Sequence, residues 1–269
     1  MPSCKLKQPL PHFRCFLTIV FLVSTIHGQA DSSRVNRRLF ITDIAGDLRH
    51  FYSLRTQTVW TLALAGSAIF SFTPIDKSIK DAFQENIRGP RSDAVAKMVK
   101  PFGNWQYSFP IYTCCSLLDY FQWENQPQFL YNIGNWGTRS SRALFLGFPY
   151  MVIFQRLIGS GRPATDNSKW LPFQNASGLS GHAYVGAVPF LAAASMTDNP
   201  WVKGLFITAS TATAISRIND NKHYTSQTVL GWLLAWLSVR AVSRSEDKNN
   251  PRSLSFIFTG NGIDAVFTF

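Results

Sequence analysis

Cysteine is nearly missing from the body of this chain. Of four, Cys4 and Cys15 lie in the first thirty residues, and the others are the adjacent pair Cys114 and Cys115 inside an apolar run. That excludes a disulfide framework and a spaced set of cysteine metal ligands, and leaves the pair as small core residues. Acidic residues are scarce as well, 15 against 26 Lys and Arg, a balance that favours anionic partners: phosphorylated small molecules, acidic headgroups or nucleic acid. A basic-aromatic recognition motif is lacking, which argues against nucleic acid. There is no internal repeat and no strong period-two alternation before residue 250, so the body reads as all-α. Long apolar runs are few. A bilayer span needs about 20 predominantly apolar residues, and Thr56 to Ile75 is the window that reaches it. The windows Ala143 to Gln155 and Gly204 to Ser216 are 13 residues each, a length that suits buried helices of a bundle.

What is present begins with Lys5, Lys7 and Arg14 ahead of the apolar run Cys15 to Val23 and a small-residue stretch with Gly28 and Ala30. Residues 1–30 resemble a secretory signal peptide, the alternative being an N-terminal membrane anchor. Either places the body on the extracytoplasmic, periplasmic side, membrane-associated or, alternatively, soluble and secreted. Removing this segment takes away three basic residues and no acidic one, so the formal charge falls from +11 to +8. The remainder divides into an all-α domain over 31–245 and a tail over 246–269.

Six apolar windows bounded by charges and turn residues predict the core helices: Arg55 to Asp76, Lys100 to Asp119, Arg142 to Arg156, His182 to Asp198, Lys203 to Arg217 and His223 to Arg240. The charged segment between Asp76 and Lys100 is amphipathic and predicts one or two surface helices broken at Gly89 and Pro90. Residues 123–141, rich in Asn, Gly and Gln, read as a loop. The charged, Pro-containing stretch after Ser243 ends the helical body, and "SLSFIFTGNGIDAVFTF" reads as two short strands around a "GNG" turn.

Polar residues interrupt the apolar windows at three islands. In "QRLIGSGRP" a helix beginning its exit at Gln155 and Arg156 runs into a glycine-rich turn that ends at Arg162, fixed by Pro163. In "SGLSGHAYVG", Ser180 and Gly181 open a helix with His182 in its first turn. In "SRINDNKHYTSQ", Arg217 closes one helix, and His223 precedes the next by four residues from Gln227. Taken singly, each has an ordinary structural reading as a helix stop, a cap or a surface histidine. Together they carry the parts for phosphoryl transfer through a covalent histidine. Arg162 and Arg217 are planar bidentate donors for a phosphate, and Ser180 with Gly181 offers a hydroxyl and close backbone approach at a helix N-terminus. Two histidines divide nucleophilic attack from protonation of the leaving oxygen. Nothing in this set needs a metal or another cofactor.

The three islands, in this order, resemble the signature of the type-2 phosphatidic acid phosphatase superfamily, which includes bacterial acid phosphatases and vanadium haloperoxidases. The resemblance spans roughly Thr56 to Arg240 and implies an all-α bundle of about six core helices. It implies His223 as nucleophile, His182 as general acid, and Arg162, Ser180, Gly181 and Arg217 as phosphate ligands. It also implies metal-independent hydrolysis of a phosphate monoester or diphosphate on a lipid (phosphatidic acid-like, phosphatidylglycerophosphate or polyprenyl diphosphate) or on a small phosphoester, with a membrane surface as partner. A catalytically weakened anion or lipid binder and a vanadate-dependent haloperoxidase are the alternatives. Three positions depart from the signature. Gln155 stands for its lysine, with Arg156, Lys169 or Lys222 as candidate substitutes; Leu179 stands for its proline; and Gln227 stands for its aspartate. Gln227 is expected to orient His223 by accepting from Nδ1–H, with Asp220 as partial compensation for the lost charge. If orientation is its whole role, a carboxylate at position 227 would raise the rate.

Overall fold

The computed structural model describes residues 40–121, 126–249, 253–259 and 262–268. The signal-peptide segment and the first residues of the all-α domain lie outside the described residues. The described body is all-α. Its helices are α1 (Phe40–Phe51), α2 (Leu54–Phe72), α3 (Ile75–Asn86), α4 (Pro90–Val99), α5 (Trp105–Tyr120), α6 (Gln128–Ile158), α7 (Gly181–Ser195), α8 (Pro200–Ser210), α9 (Ala212–Asn219) and α10 (Thr225–Asn249), with 3-10 turns at Lys100–Gly103 and Pro163–Thr165. Strands β1 (Ser253–Thr259) and β2 (Gly262–Thr268) pair antiparallel; the central residues of the expected turn lie outside the described residues.

Helix α7 is the axis of the bundle. Every residue from Ala183 to Ala194 is buried, as befits a helix that is apolar all round and enclosed by neighbours. It packs against α6, α8, α9, α10 and the Lys100–Gly103 turn. Small residues set how closely those neighbours come. A side chain at Gly231 of α10 would meet the Ser180 carbonyl at 2.4 Å, and one at Gly186 of α7 would meet Thr213 of α9 at 2.5 Å. The result is that α10 and α9 lie directly on the N-terminal half of α7, where the second polar island is.

Four features differ from the sequence expectation. The stretch 123–141 is no loop beyond residue 127: Gln128 starts α6, a helix of 31 residues. Its glycines serve packing, because a Cβ at Gly134 would meet the Asp119 backbone at 2.6 Å and one at Gly137 would meet Cys115 and Ser116 at 2.6 Å. The window Lys203 to Arg217 is two helices interrupted at Thr211, where the hydroxyls of Ser210 and Thr211 donate to carbonyls three residues back at 2.6 and 2.8 Å. Helix α1 has no counterpart among the expected windows. Helix α10 continues past Ser243, because Glu246 pairs with Arg142 and Arg139 of α6. The amphipathic segment does form two helices, with Pro90 in the first turn of α4.

Span length also changes. Among the described residues, Gln128–Thr165 is long and apolar enough to cross a membrane. The α2 region meets the same test only together with α3, from which it is bent by 71°. That bend is anchored by Asp76, fully buried in the first turn of α3. Its carboxylate accepts from the Ser226 backbone N–H at 3.0 Å and the Ser226 hydroxyl at 2.5 Å, capping the N-terminus of α10 from another element.

At the other end of the bundle, Arg142 is buried in α6 and binds Asp47 of α1 bidentately at 2.7 and 2.8 Å, with Glu246 of α10 on its third nitrogen. Removing one partner of such a pair strands a buried charge, at a cost of about 3–5 kcal/mol. Arg142→Met is therefore expected to lower unfolding free energy by roughly that amount, and the double variant Arg142→Met/Asp47→Leu to recover most of it. Urea denaturation of the three proteins checks this; a single variant as stable as the wild type refutes it.

Candidate active site

The loop joining α6 to α7 and the turn joining α9 to α10 meet at the N-terminus of α7. Helix α6 stops at Gly159, whose φ of +59° is left-handed and which has the Leu171 carbonyl 2.1 Å from where a Cβ would lie, so only glycine fits. The next residues, Ser160 and Gly161, are buried. Arg162 is extended, as Pro163 requires, and its Nε donates to Ser177 at 3.0 Å. Ser180 caps α7, its Oγ accepting from the Ala183 N–H at 3.3 Å. That bond uses an oxygen lone pair and leaves the hydroxyl hydrogen for another acceptor. Gly181 lies against Gln155 and Met151, each about 3.1 Å from where a Cβ would sit.

Arg217, in the last turn of α9, is buried, with Nη1 on Asp220 at 3.1 Å. Its Nε is also buried and has no acceptor among the described residues. The chain then turns through Asn221, at φ +55°, a value asparagine tolerates better than most residues. The Lys222 and His223 amides both donate to the Arg217 carbonyl, at 3.0 and 3.3 Å.

His223 is buried, and its Nδ1 lies 2.8 Å from Gln227 Oε1. The hydrogen bonds of Gln227 assign the tautomer. Its Nε2 donates to Ser160 Oγ at 2.7 Å and to the Gly161 carbonyl at 2.8 Å. A carbonyl only accepts, so the amide orientation is fixed and Oε1 must face the imidazole. Nδ1 therefore carries the proton and Nε2 keeps its lone pair. Oε1 accepts a second bond from the Tyr224 N–H at 3.2 Å, and the Gln227 backbone carbonyl accepts from the Ser180 N–H at 2.9 Å.

Charge around the two histidines is strongly positive. Burial first, then the Gln227 bond acting in the opposite sense and the charges of Arg217, Arg162 and His182, bring His223 down to about 3. Burial, then Arg217, Lys100 and Arg162, opposed by Asp220, bring His182 down to about 4. Both imidazoles are neutral near pH 7. Burial also lowers Arg217.

The structure thus brings His182, His223, Arg162, Arg217, Ser180, Gly181, Gln155 and Gln227 to one end of α7. Gln155 donates to the Leu179 carbonyl at 3.2 Å, holding the residue ahead of Ser180. Arg156, Lys169 and Lys222 are exposed. Asp220 spends its carboxylate on Arg217 and on Lys100, whose Nζ lies 3.2 Å from Oδ2. Lys100 was not among the sequence candidates. It precedes the first island by 55 residues, in a segment that reads as a charged surface, and no local spacing points to it. Among the described residues, no group of three or more His, Cys, Asp or Glu side chains is placed to hold a metal ion.

The depressed histidines couple stability to pH. An unfolded histidine titrates near 6.5 and these two titrate lower when folded, so between those values the unfolded chain binds more protons. Stability is full above about pH 6.5 and falls as the solution is acidified towards pH 4. The melting temperature is expected to drop across this window, with a shallower drop in His182→Asn/His223→Asn; equal acid limbs in the two proteins refute it.

Residues 143–251 match the family model of the PAP2 superfamily, so over this segment the chain is similar to that superfamily, in agreement with the three islands, all of which fall inside the match. The similarity supports phosphatase-type chemistry in general. No curated protein and no solved structure matches the chain.

Proposed function

We propose that this protein is a metal-independent phosphatase that works through a phosphohistidine at His223. One observation carries the reading: a buried imidazole with Nδ1–H tethered and Nε2 without a partner among the described residues, in the field of the Arg217 and Arg162 guanidiniums, the first of which has a buried N–H with no acceptor among those residues. A bound phosphate fills that role. In the first step the Nε2 lone pair attacks phosphorus, the bond from phosphorus to the ester oxygen breaks, and His182 gives that oxygen a proton. In the second, neutral His182 takes a proton from water as the water oxygen attacks phosphorus, the P–N bond breaks, and inorganic phosphate leaves. Arg162, Arg217, the Ser180 hydroxyl and the backbone at Gly181 hold the phosphoryl oxygens throughout. His182 must be protonated for the first step although it is neutral in the empty site. The dianionic substrate supplies the compensating charge and raises its pKa.

The substrate we favour is a phosphate monoester or diphosphate on a lipid, acted on at an extracytoplasmic membrane surface. Support comes from the superfamily, whose members generally act on phosphorylated lipids or phosphoesters, and from large apolar side chains left in water around the site's loops, among them Phe173 and Leu157. A second reading, an anion or lipid binder without turnover, is motivated by the neutral amides at Gln155 and Gln227.

Phosphate release without added metal from phosphatidic acid, phosphatidylglycerophosphate, a polyprenyl diphosphate and p-nitrophenyl phosphate separates the two. His223→Ala is expected to abolish release on every substrate. His182→Ala is expected to retain turnover on p-nitrophenyl phosphate, whose leaving oxygen needs little protonation. Label trapped on a residue other than His223 would overturn the nucleophile assignment, and no release from any substrate would leave the binder.

The structure alters the expectation for position 227. A carboxylate there would restore a negative charge beside His223 but would lose both Nε2 donors and face the Gly161 carbonyl with an anion. Gln227→Asp is expected to lower both stability and turnover, measured by thermal melting and p-nitrophenyl phosphate hydrolysis. Faster turnover in a folded Gln227→Asp protein would show that orienting His223 is all the side chain does.

A further inference from the structure

The signature lysine is the missing cation of this site, since glutamine occupies its place at residue 155 and, among the described residues, the side chains of Arg156, Lys169 and Lys222 make no hydrogen bond or ion pair to a site residue. A cation arrives from a different part of the chain. Lys100 opens the 3-10 turn Lys100–Gly103, and this turn is pressed onto the start of α7. A Cβ on Gly103 would lie 2.7 Å from the His182 carbonyl oxygen and 2.9 Å from the His182 Cβ. The turn is held from its other side by the Ser108 hydroxyl, which donates to the Phe102 carbonyl at 2.8 Å. Lys100 Nζ and Arg217 Nη1 then approach the same oxygen, Oδ2 of Asp220, at 3.2 and 3.1 Å. The lysine is half exposed while Arg217 is buried, so Lys100 reaches the carboxylate from the solvent side and keeps freedom to swing.

We propose that Lys100 is the third cation on the substrate's phosphate, replacing from outside the family-matched segment the lysine that Gln155 has lost. The proposal rests on the phosphatase reading above. Three things support it: the shared carboxylate places its ammonium beside the arginine already assigned to the anion, the turn that carries it is fixed against the residue assigned as general acid, and its charge lowers His182 more than that of Arg162 does. An ammonium is a point donor without a fixed plane, which suits it to follow a phosphoryl oxygen from Asp220 on binding. Asp220 thus holds both cations and would release Lys100 to the ligand.

Calorimetric titration of the full chain with orthovanadate, and separately with dioctanoyl phosphatidic acid below its micellar concentration, tests this. Lys100→Met is expected to weaken both ligands about tenfold, the size of one charge-assisted contact. Lys100→Arg is expected to restore most of the affinity, and Lys222→Met to change nothing. In an Asp220→Asn background Lys100→Met must still cost about the same factor; no further loss there would mean that the lysine acts only by placing Asp220 and Arg217, and the proposal would be wrong. Unchanged affinity in Lys100→Met, or a loss confined to the lipid, would overturn it too, the latter by placing the lysine on another part of the headgroup. If Arg217→Ala weakens vanadate and Lys100→Met does not, this inference alone falls. If the wild-type protein binds no vanadate, the phosphatase reading falls and takes it along.

Discussion

The side chain and backbone of Gln227 join the three polar islands that the sequence scatters over seventy residues. Its Nε2 holds Ser160 and Gly161 of the first, its backbone carbonyl holds the Ser180 amide of the second, and its Oε1 holds the imidazole of the third. The residue is buried with every hydrogen-bonding group of its amide used. Such a saturated group costs little to bury, and one left half satisfied costs the full desolvation of the orphan. The loop after α6, the cap of α7 and the ring of His223 are therefore positioned as one unit. Helix α10, which carries Gln227, is in turn fixed at its first turn by Asp76 across the bend from α2 and brought against α7 by Gly231.

Around this unit positive charge dominates. Two neutral histidines, a buried arginine with an unused N–H and the charges of Arg162 and Lys100 are offset by Asp220. The imidazoles stay unprotonated because a further positive charge would be desolvated among cations. On the phosphatase reading proposed above, a phosphate dianion would give Arg217 an acceptor, favour protonation of His182 and stand as the electrophile before the His223 lone pair, so binding and readiness for chemistry would be coupled through charge.

The bundle was legible where helix boundaries coincide with charges, as at His182 and His223, and where proline and glycine punctuate, as at Gly89 and Pro90. It was not legible where glycine and asparagine serve packing instead of turning. Gly134 and Gly137 read as loop residues in sequence, yet they are places where α5 presses on α6, and only the partner's proximity reveals that. Helix α1 was missed because its stability comes from pairing with residues far along the chain, Asp47 with Arg142 above all. The candidate site residues were proposed from their order and their positions at helix ends, and the fold gathers them at one end of α7. Lys100 was beyond reach because its role depends on a turn and a carboxylate more than a hundred residues apart meeting in space.

Two of the three departures from the superfamily signature, Gln155 and Gln227, are linked by charge. Replacing a lysine and an aspartate by glutamine removes one positive and one negative charge, so the formal balance of the site is unaltered. Both glutamines spend their amides on backbone carbonyls of the loop between α6 and α7, Gln155 on Leu179 and Gln227 on Gly161. Two mobile or titratable charges have thereby been exchanged for two fixed latches, and geometry no longer varies with the protonation of those positions. The charges themselves reappear as Lys100 and Asp220, paired at 3.2 Å on the solvent side of Arg217. On the phosphatase reading proposed above, these outer charges would act on the phosphate and on His182 and not on the nucleophile. The rate of attack by His223 would then depend on the substrate's own charge more than on a buried carboxylate, which would favour esters that arrive as dianions over singly charged diesters.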